Sequence, residues 1–453
     1  MSMQQESVAK IVSYNLYGET VCACAAKIST TKGSAYEIFQ MAKDQGKDRT
    51  LIQRVLGSGH RSIIEHAVFT IALENVSAFV EQFFIEFRLA SFTVKSRRYV
   101  DFSGLGYCVP EELSGSDRAE YQAYMELLFQ GYQELLDRGI PKEDARFLLP
   151  YAFHSHFYCT INARELVHVL QSIKYGRGRG IPELQSLADQ LIHQLEAFCP
   201  SVLFGLFDRG EPETEVLPFP LPEETGEPLV LVEAAESGKV RLLQAPADPK
   251  GILEAAYPMG HPGVSGPVDW ASLLHEDRPR ELEQLNYTFQ IADLTLSGVT
   301  HIVRHRMQSI LIPPLQSLSC RRVILPETVR QDPESLERYR WILERAAVLR
   351  RKAGQNPQLR KYSYYYLLSG TMTDLVTTMN AREAALFLRL RTCNRAQWEI
   401  RQVAVQMLGF LRESLPEVFR ELGPSCYMDG RCPEGRLTCG EMEAVCARFR
   451  QEP

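Results

Sequence analysis

The sequence contains no run of about 18 uncharged apolar residues, the minimum for a membrane-spanning helix, and its first residues, MSMQQESVAKIVSY, lack a basic region followed by an apolar one. A cytoplasmic location with no membrane partner is therefore expected. Basic residues are not in excess: 50 Lys and Arg stand against 56 Asp and Glu, for a net charge of -6 and a pI near 6.0. No global positive field is available to hold a nucleic-acid backbone, which leaves room only for a local arginine-lined pocket for a small phosphate. Paired cysteines are scarce as well. There are eleven, an odd number, and Cys108, Cys159, Cys199, Cys320 and Cys393 each stand alone, which argues for reduced thiols over a disulfide framework. What is present is ordinary globular composition, 45% hydrophobic and 23% charged over 453 residues, enough for two or three domains.

The chain repeats itself. Thr160-Ile-Asn-Ala-Arg-Glu165 recurs as Thr378-Met-Asn-Ala-Arg-Glu383, and Phe87-Arg-Leu-Ala-Ser91 is answered by His305-Arg-Met-Gln-Ser309, both at an offset of 218. Such a period points to a duplicated structural unit. Amphipathic stretches at 118–139 and 336–354 carry Tyr121 and Tyr339, again 218 apart, and predict a long helix in each copy. An acidic, proline-rich stretch at 211–228 reads as a semi-extended linker. Leu229-Val-Leu-Val232 after it predicts a first strand, the counterpart of Ile11-Val-Ser-Tyr14. The expected organisation is a copy at 1–210, the linker, a second copy at 229–422 and a cysteine-containing tail at 423–453, each copy being α+β.

Two strings concentrate nitrogen-rich side chains. Arg304-His305-Arg306 closes the apolar segment 294–303, which places three polar heads at one element terminus. They suit an anionic or electron-rich ligand, or else an exposed basic cluster complementing a helix dipole. Downstream, Asn380 and Arg382 precede Arg391, Arg395, Trp398 and Glu399, whose spacing predicts one polar face of a continuous helix, with an Arg395–Glu399 salt bridge as the simpler reading. In the tail, Cys426, Cys432 and Cys439 are separated by five and six residues. That spacing misses the two-residue zinc knuckle, and a reduced, loosely ordered tail with no metal is expected.

Taken together, the strings resemble the flavin-dependent thymidylate synthases, whose signature is Arg-His-Arg, seven residues and Ser, followed by Asn-x-Arg and an Arg-led Ala-Gln-Trp-Glu-Ile helix. The resemblance covers nearly the whole chain twice and implies two fused copies of that α+β fold, a central mixed or antiparallel sheet with long helices, arranged as a pseudo-dimer. It implies methylation of dUMP to dTMP with methylenetetrahydrofolate as carbon donor and NADPH-reduced FAD as hydride carrier. By the same resemblance Arg391 is catalytic, and Ser96, Arg98, Arg146, His301, Arg304 and Arg391 bind dUMP. Ser62, Arg304, His305, Arg306, Asn380, Arg382, Asn162 and Arg164 bind FAD. A homodimer of two-copy chains would reproduce the family's tetramer.

Each copy departs from the signature. Copy one has Glu86-Phe87-Arg88 where Arg-His-Arg is expected and Ile173 in place of the late arginine, but keeps Gly59-His60-Arg61-Ser62, Ser96-Arg97-Arg98 and Arg146. Copy two keeps Arg304 to Arg306 and Arg391, while its phosphate-arginine position reads Tyr364 or Tyr365 and its Ser-x-Arg stretch is displaced to Ser319-Cys-Arg321-Arg322. The losses are complementary, which implies one preserved set of site residues divided between the copies. A different pyrimidine nucleotide as substrate, or a degenerate flavin or nucleotide binder acting as a scaffold, are the other readings these departures leave.

Overall fold

The computed structural model describes residues 6–42, 45–210, 212, 217–222 and 227–451; residues 211, 213–216 and 223–226 of the expected linker lie outside them. In the first half β1 (Val8–Tyr14), β2 (Val68–Ser77), β3 (Ala90–Val94) and β4 (His154–Asn162) form an antiparallel sheet in the order β1-β2-β4-β3. The second half contributes β5 (Val230–Glu233), β6 (Lys239–Gln244), β7 (Asn286–Thr295), β8 (Gln308–Leu311), β9 (Arg322–Leu325) and β10 (Met372–Asn380). Of these, β6-β7-β10-β8 make a second antiparallel sheet, and β5 pairs in parallel with β9. Helices and antiparallel sheets are thus mixed, as an α+β reading requires.

The strands follow from alternation. In β4, Phe157, Cys159 and Ile161 are buried while Tyr158 and Thr160 face outward, and in β7 Tyr287, Phe289 and Ile291 take the inner face, the period-two pattern of a sheet with one covered side. The repeat extends to atomic detail. Thr70 pairs with Thr160 through their hydroxyls at 3.1 Å, and Thr288 with Thr378 at 2.9 Å. Asn75 (φ 53°) and Asp293 (φ 52°) are the two non-glycine residues with positive φ among the described residues, each beside an irregularity in strand register. Asn and Asp tolerate that left-handed conformation better than other side chains.

The first strand of the second copy is not where the sequence placed it. β6, not Leu229–Val232, is the counterpart of β1: Ala9 faces Leu73, and Val240 faces Ile291, 218 residues beyond Leu73. The apolar run after the linker instead finds a parallel partner in β9, a pairing over some ninety residues that local pattern does not announce.

Compactness also divides the chain differently from the repeat. One unit comprises 1–226 with 314–319 and 338–367; the other comprises 227–313, 320–337 and 368–453. Within the first unit the helix Gly115–Asp137 lies antiparallel to residues 338–355 of the helix Pro333–Gln355, both helices covering the stretches predicted from amphipathicity. Arg338 Nη2 donates to Glu134 at 3.0 Å, and Lys352 meets Glu120 at 2.7 Å near the other end. Between them Gly131 permits close approach, since a Cβ there would sit 2.6 Å from Ile342 Cδ1. Tyr121 and Tyr339, the repeat pair, are both fully buried in this unit.

The carboxyl tail is not loose. It forms the helices Ser425–Met428 and Met442–Gln451 within the second unit, with Val445 and Phe449 buried. The buried Arg412 donates to the carbonyls of Leu422 (2.9 Å) and Phe449 (3.3 Å), and Asp429 accepts from Arg389 at 2.7 and 2.8 Å. Apolar burial and these charge-assisted bonds account for an order that cysteine spacing alone did not predict.

Candidate functional site

In the second unit the short helix Leu296–Ile302 is buried along its whole length. The hydroxyl of Thr295 caps it by accepting from Gly298 N–H at 2.9 Å, and the buried Glu399 carboxylate accepts from Thr295 N–H at 2.8 Å. The first unit repeats the device: Ser77 caps the helix Ala78–Ile85, and Glu183 accepts from its N–H at 2.8 Å and its hydroxyl at 2.6 Å. Glu399 is therefore engaged with the cap of the helix Leu296–Ile302, a role that the i, i+4 spacing to Arg395 did not announce. Nor do Arg391, Arg395 and Trp398 share one helical face. The helix Ala381–Arg391 ends at Arg391, Thr392–Gln397 turns, and a new helix starts at Trp398 with the Gln397 side chain accepting from Ile400 N–H at 3.0 Å.

The three heads of Arg304-His305-Arg306 separate at the exit of the buried helix. Arg304 and Arg306 are exposed, whereas His305 turns inward and is 6% exposed, its ring edge-on to Phe387 at 4.8 Å between centroids. Arg391 Nε donates to His305 Nε2 at 3.1 Å, and His305 Nδ1 lies 3.2 Å from Glu383 Oε1. An Nε2 that accepts fixes the proton on Nδ1, which then donates to the carboxylate. The chain Glu383–His305–Arg391 orients a guanidinium at the end of the helix Ala381–Arg391. Glu383 was not singled out from the sequence, although Asn380-x-x-Glu383 is an N-terminal helix signature. His301 is buried on the preceding helix.

The first unit holds a second basic cluster. Arg146 is 2% exposed, and its Nε donates to the Glu143 carbonyl at 3.0 Å. Its Nη2 has no hydrogen-bond partner among the described residues. Burial foremost, and then the charges of Arg97 and Arg98, lower its pKa to about 10, which still leaves it a cation at neutral pH. Arg98 N–H points to Ser96 Oγ at 3.4 Å, and Arg98 Nε donates to Glu143 Oε2 at 2.6 Å. Arg97 is committed elsewhere, to the buried carboxylate of Glu81. A buried guanidinium edge with no acceptor is costly, and with Ser96 and Arg98 close by the arrangement suits a small dianion.

The expected flavin-contacting residues have evident structural work. The Asn162 and Asn380 side chains accept from the N–H groups of Glu165 and Glu383, each at 2.9 Å, capping equivalent helices. Arg164 pairs with Glu65 and Arg382 with Glu283, both at 2.5 Å. Ser62 is exposed on the turn Arg61–His66, whose Ile63 and Ile64 are buried. Of the displaced stretch, Arg322 is 2.6 Å from Asp293 and Arg321 pairs with Glu227. Among the described residues no three His, Cys, Asp or Glu side chains converge on a single metal ion, and all eleven cysteines are unbridged.

Residues 10–201 and 270–417 match the family model described as thymidylate synthase complementing protein. Three relatives are each named flavin-dependent thymidylate synthase. That of Geobacter sulfurreducens is 34% identical over 174 residues, covering 38% of this chain and 75% of the relative. That of Clostridium tetani is 27% identical over 235 residues (45% and 93%), and that of Nitratidesulfovibrio vulgaris 29% over 230 (45% and 94%). A solved UMP/dUMP methylase from Streptomyces cacaoi aligns with 47% of this chain and 98% of its own at 24% identity, with a TM-score of 0.40, too low to carry weight here. The relatives' alignments fill nearly all of two of those proteins yet less than half of this chain, in keeping with a family model that matches twice. The chain belongs to the thymidylate synthase complementing protein family, with two family segments in one polypeptide.

Proposed function

We propose that the chain is a flavin-dependent thymidylate synthase, converting dUMP to dTMP with methylenetetrahydrofolate as carbon donor and NADPH as reductant, and that turnover draws on one set of residues from each repeat. The observation that carries this reading is the complementary preservation of two cationic groups: the buried Arg146 with its unsatisfied Nη2 in one, and Arg391 fixed by His305 and Glu383 in the other.

Arg146, with Ser96 and Arg98, takes the 5'-phosphate. An acceptor there satisfies Arg146 and relieves the mutual repulsion of its guanidinium with Arg97 and Arg98. Arg391 faces the uracil, with His301 and Arg304 as further contacts. A charge held in place before the reaction stabilises negative charge developing on the ring without reorganisation, worth roughly 3–4 kcal/mol for one such donor. His305 and Glu383 act through Arg391 as positioning residues.

FAD, when bound, supplies the hydride-carrying chemistry that no side chain can. The donor set fits it in part. Arg304 and Arg306 are exposed guanidiniums suited to a diphosphate, and Ser62 presents an exposed hydroxyl. Arg164 and Arg382 would exchange ion pairs with Glu65 and Glu283 for the ligand, while Asn162 and Asn380 hold the helices that carry them. His305, with both ring nitrogens engaged, serves Arg391 instead. The repeat supports a pseudo-dimeric chain and a homodimer of such chains, working in the cytoplasm with small-molecule partners only.

The test is turnover by the purified full chain with FAD, dUMP, methylenetetrahydrofolate and NADPH, read as dTMP by chromatography. NADPH consumption without dTMP would point to another pyrimidine nucleotide, and absence of saturable FAD binding would remove the enzyme reading.

A further inference from the structure

Five of the eleven cysteines lie at 393–446, and none of them has a part in the function proposed above. Four of them, Cys393, Cys426, Cys432 and Cys439, line one cavity of about 170 Å³ in the second unit. They come from separate elements: Cys393 from the turn after Arg391, Cys426 from the helix Ser425–Met428, and Cys432 and Cys439 from the segment before the helix Met442–Gln451. The thiol of Cys426 is pushed up to about 11 by burial and then by the nearness of Cys446, Cys393, Cys432 and Cys439. Cys446 does not line the cavity, and its Sγ lies 3.8 Å from the Cys426 carbonyl.

The arrangement is wrong for one ion and right for something larger. A zinc ion draws its sulfurs to about 2.3 Å, so that four thiolates converge on a point, and no three candidate ligands here do so. Instead the four are among the residues that line a space far larger than a single ion needs. Arg391 and Arg395 also line it, with Glu434 as a carboxylate on the same wall. Cys393 Sγ accepts from Arg395 N–H at 3.5 Å, the kind of backbone bond that tunes cluster thiolates. Cys432 precedes Pro433, and Cys439 precedes Gly440 at φ 77°, so both turn sharply away after the sulfur.

We propose that Cys393, Cys426, Cys432 and Cys439 ligate a [4Fe–4S] cluster that pins the carboxyl-terminal segment to the end of the helix bearing Arg391. On ligation each thiol loses one proton to solvent, and the guanidiniums of Arg391 and Arg395 offset the negative charge of the finished centre. The site does not depend on the activity proposed above, and its test does not measure that activity.

The full chain is incubated anaerobically with equal amounts of ferric and ferrous iron, sulfide and a thiol, desalted, and assayed for iron, zinc and acid-labile sulfide, with Mössbauer spectra to separate the cluster from flavin absorbance. About four iron and four sulfide per chain are expected for a Cys₄ cubane. Cys432→Ser and Cys439→Ser, both at half-buried positions, should lose most of the labile sulfide, and Cys446→Ser should keep it. Circular dichroism checks that each variant is folded. No labile sulfide in the wild-type chain, stoichiometric zinc in place of iron, or full cluster in folded Cys432→Ser and Cys439→Ser would each overturn the proposal.

Discussion

The corner at Glu86-Phe87-Arg88 and the corner at Arg304-His305-Arg306 occupy the same place in the repeat, each just after a capped, buried helix, yet one is closed by packing and the other holds charge. In the first unit Glu86 is captured by Arg177, whose guanidinium lies 4.7 Å from the centre of the Phe83 ring and 5.1 Å from that of Phe87. Phe87 is buried edge-on to His168 at 5.3 Å, and Ile173 is wholly buried where the second copy has Arg391. In the second unit the same positions give an exposed arginine, a histidine with both nitrogens engaged, and a half-buried guanidinium. The opposite exchange occurs at Arg146. Its counterpart is filled by tyrosines: Tyr364 packs on Phe79 at 4.6 Å, and Tyr365 donates its hydroxyl to Glu183 at 2.6 Å. Where a copy lacks one of these cationic groups, packing, an ion pair or a hydrogen bond stands in its place.

The comparison breaks first at Arg391. Arg391→Ala is expected to lower kcat by roughly 10²–10³, as removal of one preorganised donor does, while FAD titrates as in the wild type. Arg391→Lys should recover little, because an ammonium cannot bond His305 and the ring in one plane. A variant with normal kcat would make the late arginine structural. Next comes its support. Glu383→Gln should reduce kcat about tenfold by weakening the hold on His305 with KM for dUMP little changed, and steady-state kinetics separates that split from a loss of binding.

The replaced corner should be quiet. Glu86→Ala and Tyr365→Phe are expected to leave turnover within about twofold of wild type. Thermal unfolding should show a cost of about 1.5–3 kcal/mol, the usual range for a lost hydrogen bond to a charged group. Loss of activity in folded Glu86→Ala would show that the first corner still serves the reaction.

The smallest effect concerns pH. His154 is buried, with Nδ1 bonded to the Leu105 carbonyl at 3.0 Å, and burial lowers its pKa below 6.5. The unfolded chain therefore takes up this proton first as the medium is acidified. The contribution of His154 to stability is complete above about pH 6.5 and is lost as pH falls from there through the folded value. Melting temperature against pH should decline more shallowly for His154→Gln than for the wild type over that window, and identical slopes would assign the decline to other groups.

Much of this was legible in the sequence because a duplicated chain states its own register: the offset of 218 marked the two Asn-Ala-Arg-Glu motifs and the two long helices, while the capping role of Asn162 and Asn380 and the pairs Thr70–Thr160 and Thr288–Thr378 emerged only in the fold. The features that escaped it depend on distant partners or on unmarked breaks. His305 looked like one of three outward heads because Glu383, 78 positions away, decides its direction. The helix appeared to run through Arg391 to Trp398 because Thr392–Gln397 holds neither glycine nor proline to mark the turn. Residues 338–367 group with the first unit through contacts more than 200 positions apart, such as Glu134 with Arg338, which no local periodicity carries.

The central claim is that both repeats serve one turnover, and the direct measurement is dTMP formation by Arg146→Ala, Arg304→Ala and the double variant, with unfolding curves to confirm that each is folded. Each single change is predicted to remove nearly all activity, and the double to be hardly worse than either, because both act on the same transition state. Wild-type turnover in folded Arg146→Ala would contradict it, leaving the first repeat a structural partner of the second.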